Sequence, residues 1–214
     1  LSYETGMTQT KTMRDRFEEI YRTAEWEGGG SGEGSHPVHT FGYRRFLGRF
    51  LRENAIRSVV DLGCGDWQFS RRIDWRGIDY QGFDVVPMVV EANQRRYGSD
   101  TIRFELAPDF ENLPQADLII AKDVLQHWSN ASILDFLPVL QRYRHALITN
   151  CVTPDGLSQN SDIADGDFRP VDLRLEPFSM AAEPVYSFRN AQSLVPGIKP
   201  RWRKIVLHRR PSAG

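Results

Sequence analysis

The sequence predicts an α/β protein: a doubly wound, mostly parallel sheet behind a helical N-terminal cap. Three observations point there. Short, continuous apolar runs recur at 58–62, 80–85, 101–106, 117–121 and 146–149, and runs of that length suit strands buried on both faces. Stretches with helical spacing lie between them, and strand–helix alternation on this scale indicates βαβ units and a parallel sheet. The first run ends in glycines, where such sheets bind their ligands.

Each element has a local reason. Residues 11–24 place Phe17, Ile20, Tyr21 and Ala24 at helical spacing with charges between them, an amphipathic helix. A glycine-rich loop follows, from Trp26 through Ser31 to Ser35. Residues 39–53 then set Phe41, Phe46, Leu47, Phe50 and Leu51 on one helical face. Residues 1–54 therefore read as a cap of two helices joined by a lid loop. Residues 1–6 precede the first methionine, Met7, and are expected to be a cloning remnant outside the fold. Residues 55–214 hold the sheet. The helix at 87–97 opens on Pro87, whose fixed φ suits a first turn. Another opens at Ser129 or Asn130, both good N-caps, and carries Ile133, Leu134, Leu137 and Leu140, with Pro138 expected to kink it. Residues 151–184 lose all periodicity and form a long loop or insertion. Residues 186–188 and 202–208 close the sheet, with Pro196, Gly197 and Pro200 in the turn.

Composition bounds the function classes. The 214 residues are 40% hydrophobic and 26% charged, with net charge −1. That is one domain with a real core, and no field to hold a nucleic-acid backbone. The basic cluster Arg201, Arg203, Lys204, Arg209 and Arg210 is the one feature favouring nucleic acid. Cys64 and Cys151 make neither a disulfide framework nor a zinc site, so no metal is expected. No apolar run is long enough to span a membrane and the first twenty residues are polar, so a cytoplasmic protein is expected.

The chemistry is carried by residues 59–67, Val-Val-Asp-Leu-Gly-Cys-Gly-Asp-Trp. Gly63 and Gly65 lack a Cβ, so the backbone can turn sharply and lie against a ligand. The turn is expected to open a helix whose unpaired N–H groups face the same space. A dinucleotide site wants a third small residue where Gln68 stands. Asp61, just before the glycines, would repel a diphosphate but accept from an ammonium group. Asp84 ends the next strand and can take both hydroxyls of a ribose. The pair suits a nucleoside carrying an amino-acid tail. The alternative is that each aspartate merely caps a turn.

These residues resemble the class I S-adenosylmethionine-dependent methyltransferases over residues 56–150, and more loosely over Trp26 and the Ser31–Ser35 loop. The pattern is most similar to small bacterial members with an N-terminal Ser-Gly-x-Gly-Ser loop. The resemblance implies a Rossmann-like methyltransferase fold, a seven-stranded sheet with an antiparallel closing pair, and S-adenosylmethionine as cofactor. It carries cofactor contacts onto Trp26, Ser35, Asp61, Gly63, Gly65 and Asp84, and onto Asp109 and Phe110 after the third strand. The run from Asp117 to His127 resembles the fourth-strand motif. Lys122 stands there in place of the usual arginine, as a further cofactor contact.

The activity so implied is methyl transfer to an O or N nucleophile of a small polar metabolite. A protonated nucleophile needs a base, and His127 titrates near neutrality at the cofactor edge of the sheet. Its alternative role is packing, and Asp123 is a weaker rival. In the insertion, Asn150, Asn160, Arg169 and Arg174 are expected to bind the substrate. Two other classes stay open: an NAD(P)-dependent oxidoreductase, against which Gln68 argues, and a non-catalytic cofactor-binding or interaction module.

Overall fold

Seven strands form one sheet in the computed structural model, which describes residues 12–23, 25, 30–189 and 202–210. They are β1 (Ser58–Leu62), β2 (Asp79–Asp84), β3 (Ile102–Leu106), β4 (Leu118–Lys122), β5 (His145–Val152), β6 (Glu183–Phe188) and β7 (Arg203–Arg209). Their order is β3-β2-β1-β4-β5-β7-β6. The pairings from β3 to β5 are parallel, and β7 runs antiparallel to both its neighbours. The helices are α1 (Met13–Thr23), α2 (Phe41–Glu53), α3 (Pro87–Tyr97) and α4 (Asn130–Phe136). The expectations for residues 1–6, Ala24, Trp26 and the 196–200 turn lie outside the described residues.

Every residue of β4 and β5 is buried, because the sheet is covered on both faces. Alternate residues serve two cores. Val59, Ile120, Leu147 and Val206 meet Tyr43, Phe46, Leu47 and Phe50 of α2. Val60, Ile119, Ile148 and Leu207 meet Ile133 and Phe136 of α4 together with Leu173 of the insertion. The Ser129 hydroxyl caps α4 by accepting from the Ser132 N–H at 3.2 Å. Pro138 cannot donate to a helix, and the chain tightens into 3-10 turns over Leu137–Arg142.

One expectation fails. No α-helix follows the glycine turn; between β1 and β2 there is only a 3-10 turn, Ser70–Arg72. Trp67 sits at φ +58°, a left-handed conformation that a bulky residue rarely adopts and that interrupts a helix before it can propagate. The Trp67, Phe69 and Trp75 side chains cover this part of the sheet instead, packed with Ile78, Tyr80 and Phe104. The insertion is a second surprise of the opposite kind. Its residues 153–182 contain no strand or α-helix, yet Val171, Leu173, Phe178 and Met180 are buried in the core.

Candidate functional site

A cavity opens at the carboxyl ends of the first four strands. Leu62, Gly63 and Gly65 line it after β1, Asp84 and Val85 after β2, and Ala107 after β3. Lys122, Asp123 and Val124 follow from β4, with His127 and Trp128 beyond. The strand order reverses between β1 and β4, so this is the topological switch point where doubly wound sheets take ligands.

The glycine turn is a main-chain cradle. The Gly63 and Cys64 N–H groups donate to the Phe83 carbonyl at 2.7 and 3.0 Å. Gly63 and Gly65 have φ of +70° and +55°. A Cβ on Gly63 would run into the Val124 side chain, and one on Gly65 into the Ser31 hydroxyl. The Asp84 carboxylate accepts from the Gly65 N–H at 3.0 Å and the Val86 N–H at 3.1 Å. The Val85 N–H also bonds this carboxylate, which keeps acceptor capacity for a further donor. Burial pushes Asp84 up to about 6 despite those N–H groups. From α3, the Asn93 amide donates to the Gly65 carbonyl at 2.7 Å and holds the turn from behind.

The N-terminal segment forms the opposite wall. Met13, Phe17 and Tyr21, spaced four residues apart along α1, line the cavity. The Tyr21 hydroxyl lies 2.8 Å from the Ser31 hydroxyl, which accepts from the Asp66 N–H at 2.7 Å. Ser31 and Ser35 complete this side. The Lys122 ammonium donates to the Gly34 carbonyl at 3.2 Å and to Asp123 at 2.5 Å. Lys204 of β7 binds the same Asp123 carboxylate. Burial alone would raise Asp123, but the two lysines bring it down to about 2. Burial lowers Lys122. Asp123 has φ +61°, a conformation that costs about 1–3 kcal/mol in a non-glycine residue and clusters at functional sites.

The structure thus gathers Ser35, Gly63, Gly65, Asp84, Lys122 and His127 around one cavity. It places other sequence candidates elsewhere. Asp61 is buried behind the cradle and accepts from the Tyr80 hydroxyl at 2.6 Å. Asp109 is exposed, and the Phe110 ring packs on Trp128 and Phe136 with centroids 5.2 Å apart in each case. Asn150 is buried in β5, its amide without a hydrogen-bond partner among the described residues. Asn160 donates to the carbonyls of Asp172 and Glu176, both at 2.9 Å. Arg169 is bonded to main-chain carbonyls, and Arg174 is paired with Asp172 at 2.7 Å. Trp26 lies outside the described residues.

Sequence reasoning missed Tyr21, Ser31, Asn93 and Lys204. Asn93 carried a signal: it is a polar residue on the apolar stripe of α3, beside Val89 and Val90. Ser31 heads the Ser-Gly-x-Gly-Ser loop that the resemblance covers, whereas Lys204 carried no signal, because its partner Asp123 is far away in sequence. The cavity fits a nucleoside with an amino-acid tail: a Cβ-free cradle, a buried carboxylate with spare lone pairs, and a lysine–aspartate cluster beside serine hydroxyls.

Comparison with known proteins agrees. Residues 35–154 match the family profile of the O-methyltransferase domain. A search of curated proteins finds no match. Among solved structures, the chain is similar to the 1,6-didemethyltoxoflavin-N1-methyltransferase of Burkholderia thailandensis, at 15% identity and TM-score 0.63 over 92% of this chain and 87% of that one. It is also similar to the magnesium protoporphyrin IX methyltransferase of Synechocystis PCC 6803 with bound S-adenosylmethionine, at 15% identity and TM-score 0.58 over 94% and 97%. The N-methyltransferase NodS of Bradyrhizobium japonicum WM9 aligns at 14% identity and TM-score 0.56 over 82% and 88%. At such identity these likenesses speak for the fold. Among the described residues no helix is long and apolar enough to cross a membrane. The profile match spans more than half of the chain, and with it the chain belongs to the O-methyltransferase domain family, as a class I S-adenosylmethionine-dependent methyltransferase.

Proposed function

We propose that the chain methylates an O or N nucleophile of a small molecule, with His127 as the base that takes the nucleophile's proton. The observation that carries this reading is the place of His127: it lines the same cavity as Gly63, Gly65 and Asp84. The bound cofactor supplies a methyl group already activated on a sulfonium. What remains for the protein is alignment, exclusion of water and removal of one proton.

Gly63, Gly65 and Asp84 hold the nucleoside, and Ser35 and Lys122 lie on the lid side toward its tail. Met13, Phe17 and Trp128 exclude water from the acceptor. These apolar walls favour an acceptor that is polar at its reacting atom and apolar along its body. The expected polar contacts from Asn160, Arg169 and Arg174 are engaged within the protein. Burial lowers the His127 pKa, so the imidazole is neutral and able to accept a proton at pH 7.

A screen of metabolites and phenols with methyl-labelled cofactor tests the activity. His127→Asn, assayed on the best acceptor, tests the base. Its turnover should fall about 10²–10⁴-fold, the usual worth of a positioned base, with S-adenosylhomocysteine affinity unchanged. Wild-type turnover in His127→Asn would remove the base.

A further inference from the structure

We infer that the insertion is a clamp on the segment carrying His127, and that Arg169 is the positioning residue which fixes His127 in the tautomer a base requires. The inference rests on the reading of His127 as the base. It assigns to Arg169 a role other than substrate binding.

Arg169 is 3% exposed, and each of its three nitrogens donates inside the protein. Nε donates to the Ser161 carbonyl at 2.6 Å, Nη1 to the Trp128 carbonyl at 2.8 Å and Nη2 to Asn130 Oδ1 at 2.8 Å. Its own N–H donates to the Gln126 carbonyl at 3.0 Å. One residue therefore ties the insertion to the main chain on both sides of His127. Three further bonds close the clamp. The Gly166 N–H donates to the His127 carbonyl at 2.7 Å. Asp165 accepts from the Ser129 N–H at 2.6 Å, and Asp162 from the Asn130 N–H at 2.8 Å. A guanidinium reaches three acceptors at fixed angles in one plane, which an ammonium cannot do.

The ring shows what the clamp is for. His127 Nδ1 lies 2.9 Å from the Asp167 carbonyl, which belongs to the same insertion segment. A carbonyl only accepts, so Nδ1 carries the proton and Nε2 keeps its lone pair. From the other side the Cys151 N–H donates to Gln126 Oε1 at 2.9 Å. That turns the Gln126 NH₂ toward His127 Nε2, 3.5 Å away. An amide NH₂ only donates, so it too disfavours a proton on Nε2, and at this long distance it yields that lone pair to the nucleophile's proton. Among the described residues, the charged groups acting on the ring include Asp123, which favours the imidazolium, and Lys204 and Arg169, which oppose it.

The test compares wild type, Arg169→Lys, Arg169→Met and Asp165→Ala. Three quantities are read: the His127 tautomer and titration by ¹⁵N NMR, S-adenosylhomocysteine affinity by calorimetry, and the pH profile of turnover on the best acceptor. The wild type should show the Nδ1–H tautomer alone. Arg169→Lys keeps the charge but loses the fork. It should mix the tautomers and displace the acid limb of the pH profile. It should also cut kcat at least tenfold, with cofactor affinity and acceptor KM within threefold. Asp165→Ala, at an exposed residue, should do the same more weakly and decides the matter if the Arg169 variants do not fold. A single Nδ1–H tautomer and an unmoved titration in folded Arg169→Lys or Asp165→Ala overturns the clamp. His127→Asn keeps the two readings apart: full turnover there removes the base, whereas the tautomer result stands or falls by itself.

Discussion

Around Gly63 and Gly65 the cavity wall is main chain, bent by two residues that lack a Cβ and braced by N–H groups donating to Phe83 and Asp84. Across the cavity, around His127, the wall is held by side chains of a segment without strand or α-helix, 32 to 41 residues further along the chain. The first region is dictated by what a short stretch of backbone can do. The second depends on bonds that form only once the whole chain has folded. On the proposed function, the difference separates two tasks, holding a nucleotide and orienting a base. It also makes the two regions breakable one at a time.

Gly65→Val should have the largest effect. The backbone there is left-handed, which costs a β-branched residue more than the about 1–2 kcal/mol of an ordinary one, and the side chain would run into Ser31. Affinity for S-adenosylhomocysteine should fall more than about 100-fold, a loss beyond strain alone because the cradle and the lid are both displaced. The His127 tautomer should survive. Calorimetry and NMR on one sample would decide, and a lost tautomer would mean that the two regions are not separable.

Asp84→Asn comes next. Removing a charged acceptor for the ribose hydroxyls is worth about 1.5–3 kcal/mol, or roughly 10- to 100-fold in affinity. The wild-type protein should mimic this loss in acid. Because burial holds Asp84 near 6, the carboxylate is progressively protonated below that pH, and affinity should weaken as pH falls from 7 to 5. An affinity flat over that range in calorimetry would take Asp84 out of the ribose site.

These two regions also explain what could be read in advance. Strands at 58–62 and 102–106, the start at Pro87 and the cap at Ser129 were legible because their causes are local: apolar runs, a fixed φ, a hydroxyl next to a helix. The cradle was legible for the same reason. The missing helix after Gly65 was not, because the left-handed Trp67 is held by contacts with Tyr80, Tyr97 and Phe104, all outside that stretch. Arg169 looked like a substrate clamp because a sequence shows its charge and hides its partners. The carbonyls of Ser161 and Trp128 have no signature at all.

Asn160→Ala sharpens the comparison from the other side. Its amide donates to two insertion carbonyls, and its oxygen accepts from the Asp172 N–H at 3.0 Å. Leaving such groups unpaired costs about 1–3 kcal/mol. Thermal unfolding should shift down by several degrees, while S-adenosylhomocysteine affinity stays within twofold. A matching loss of affinity would show that the insertion reaches the cofactor.

Asp61→Asn should change affinity least, although the sequence gives Asp61 the same standing as Asp84. Asp61 does not line the cavity, and its partner is the Tyr80 hydroxyl, which can donate equally well to a carboxamide. The effect should appear in stability instead. Burial raises Asp61 from 3.8 to about 7. A carboxyl raised in the folded state favours folding below its unfolded pKa, and that contribution is lost as pH rises through the folded pKa. Wild-type stability from this group therefore declines between about pH 4 and pH 7. Asp61→Asn cannot ionise, so its melting temperature should gain on the wild type steadily across that window and exceed it at pH 8. Asp84 titrates in both proteins, and its charge helps to raise Asp61 in the wild type alone. If Asp61→Asn instead weakens S-adenosylhomocysteine tenfold with no change in the pH dependence of stability, the carboxylate serves the cofactor's ammonium through water, and the cradle extends one residue deeper than its lining residues indicate.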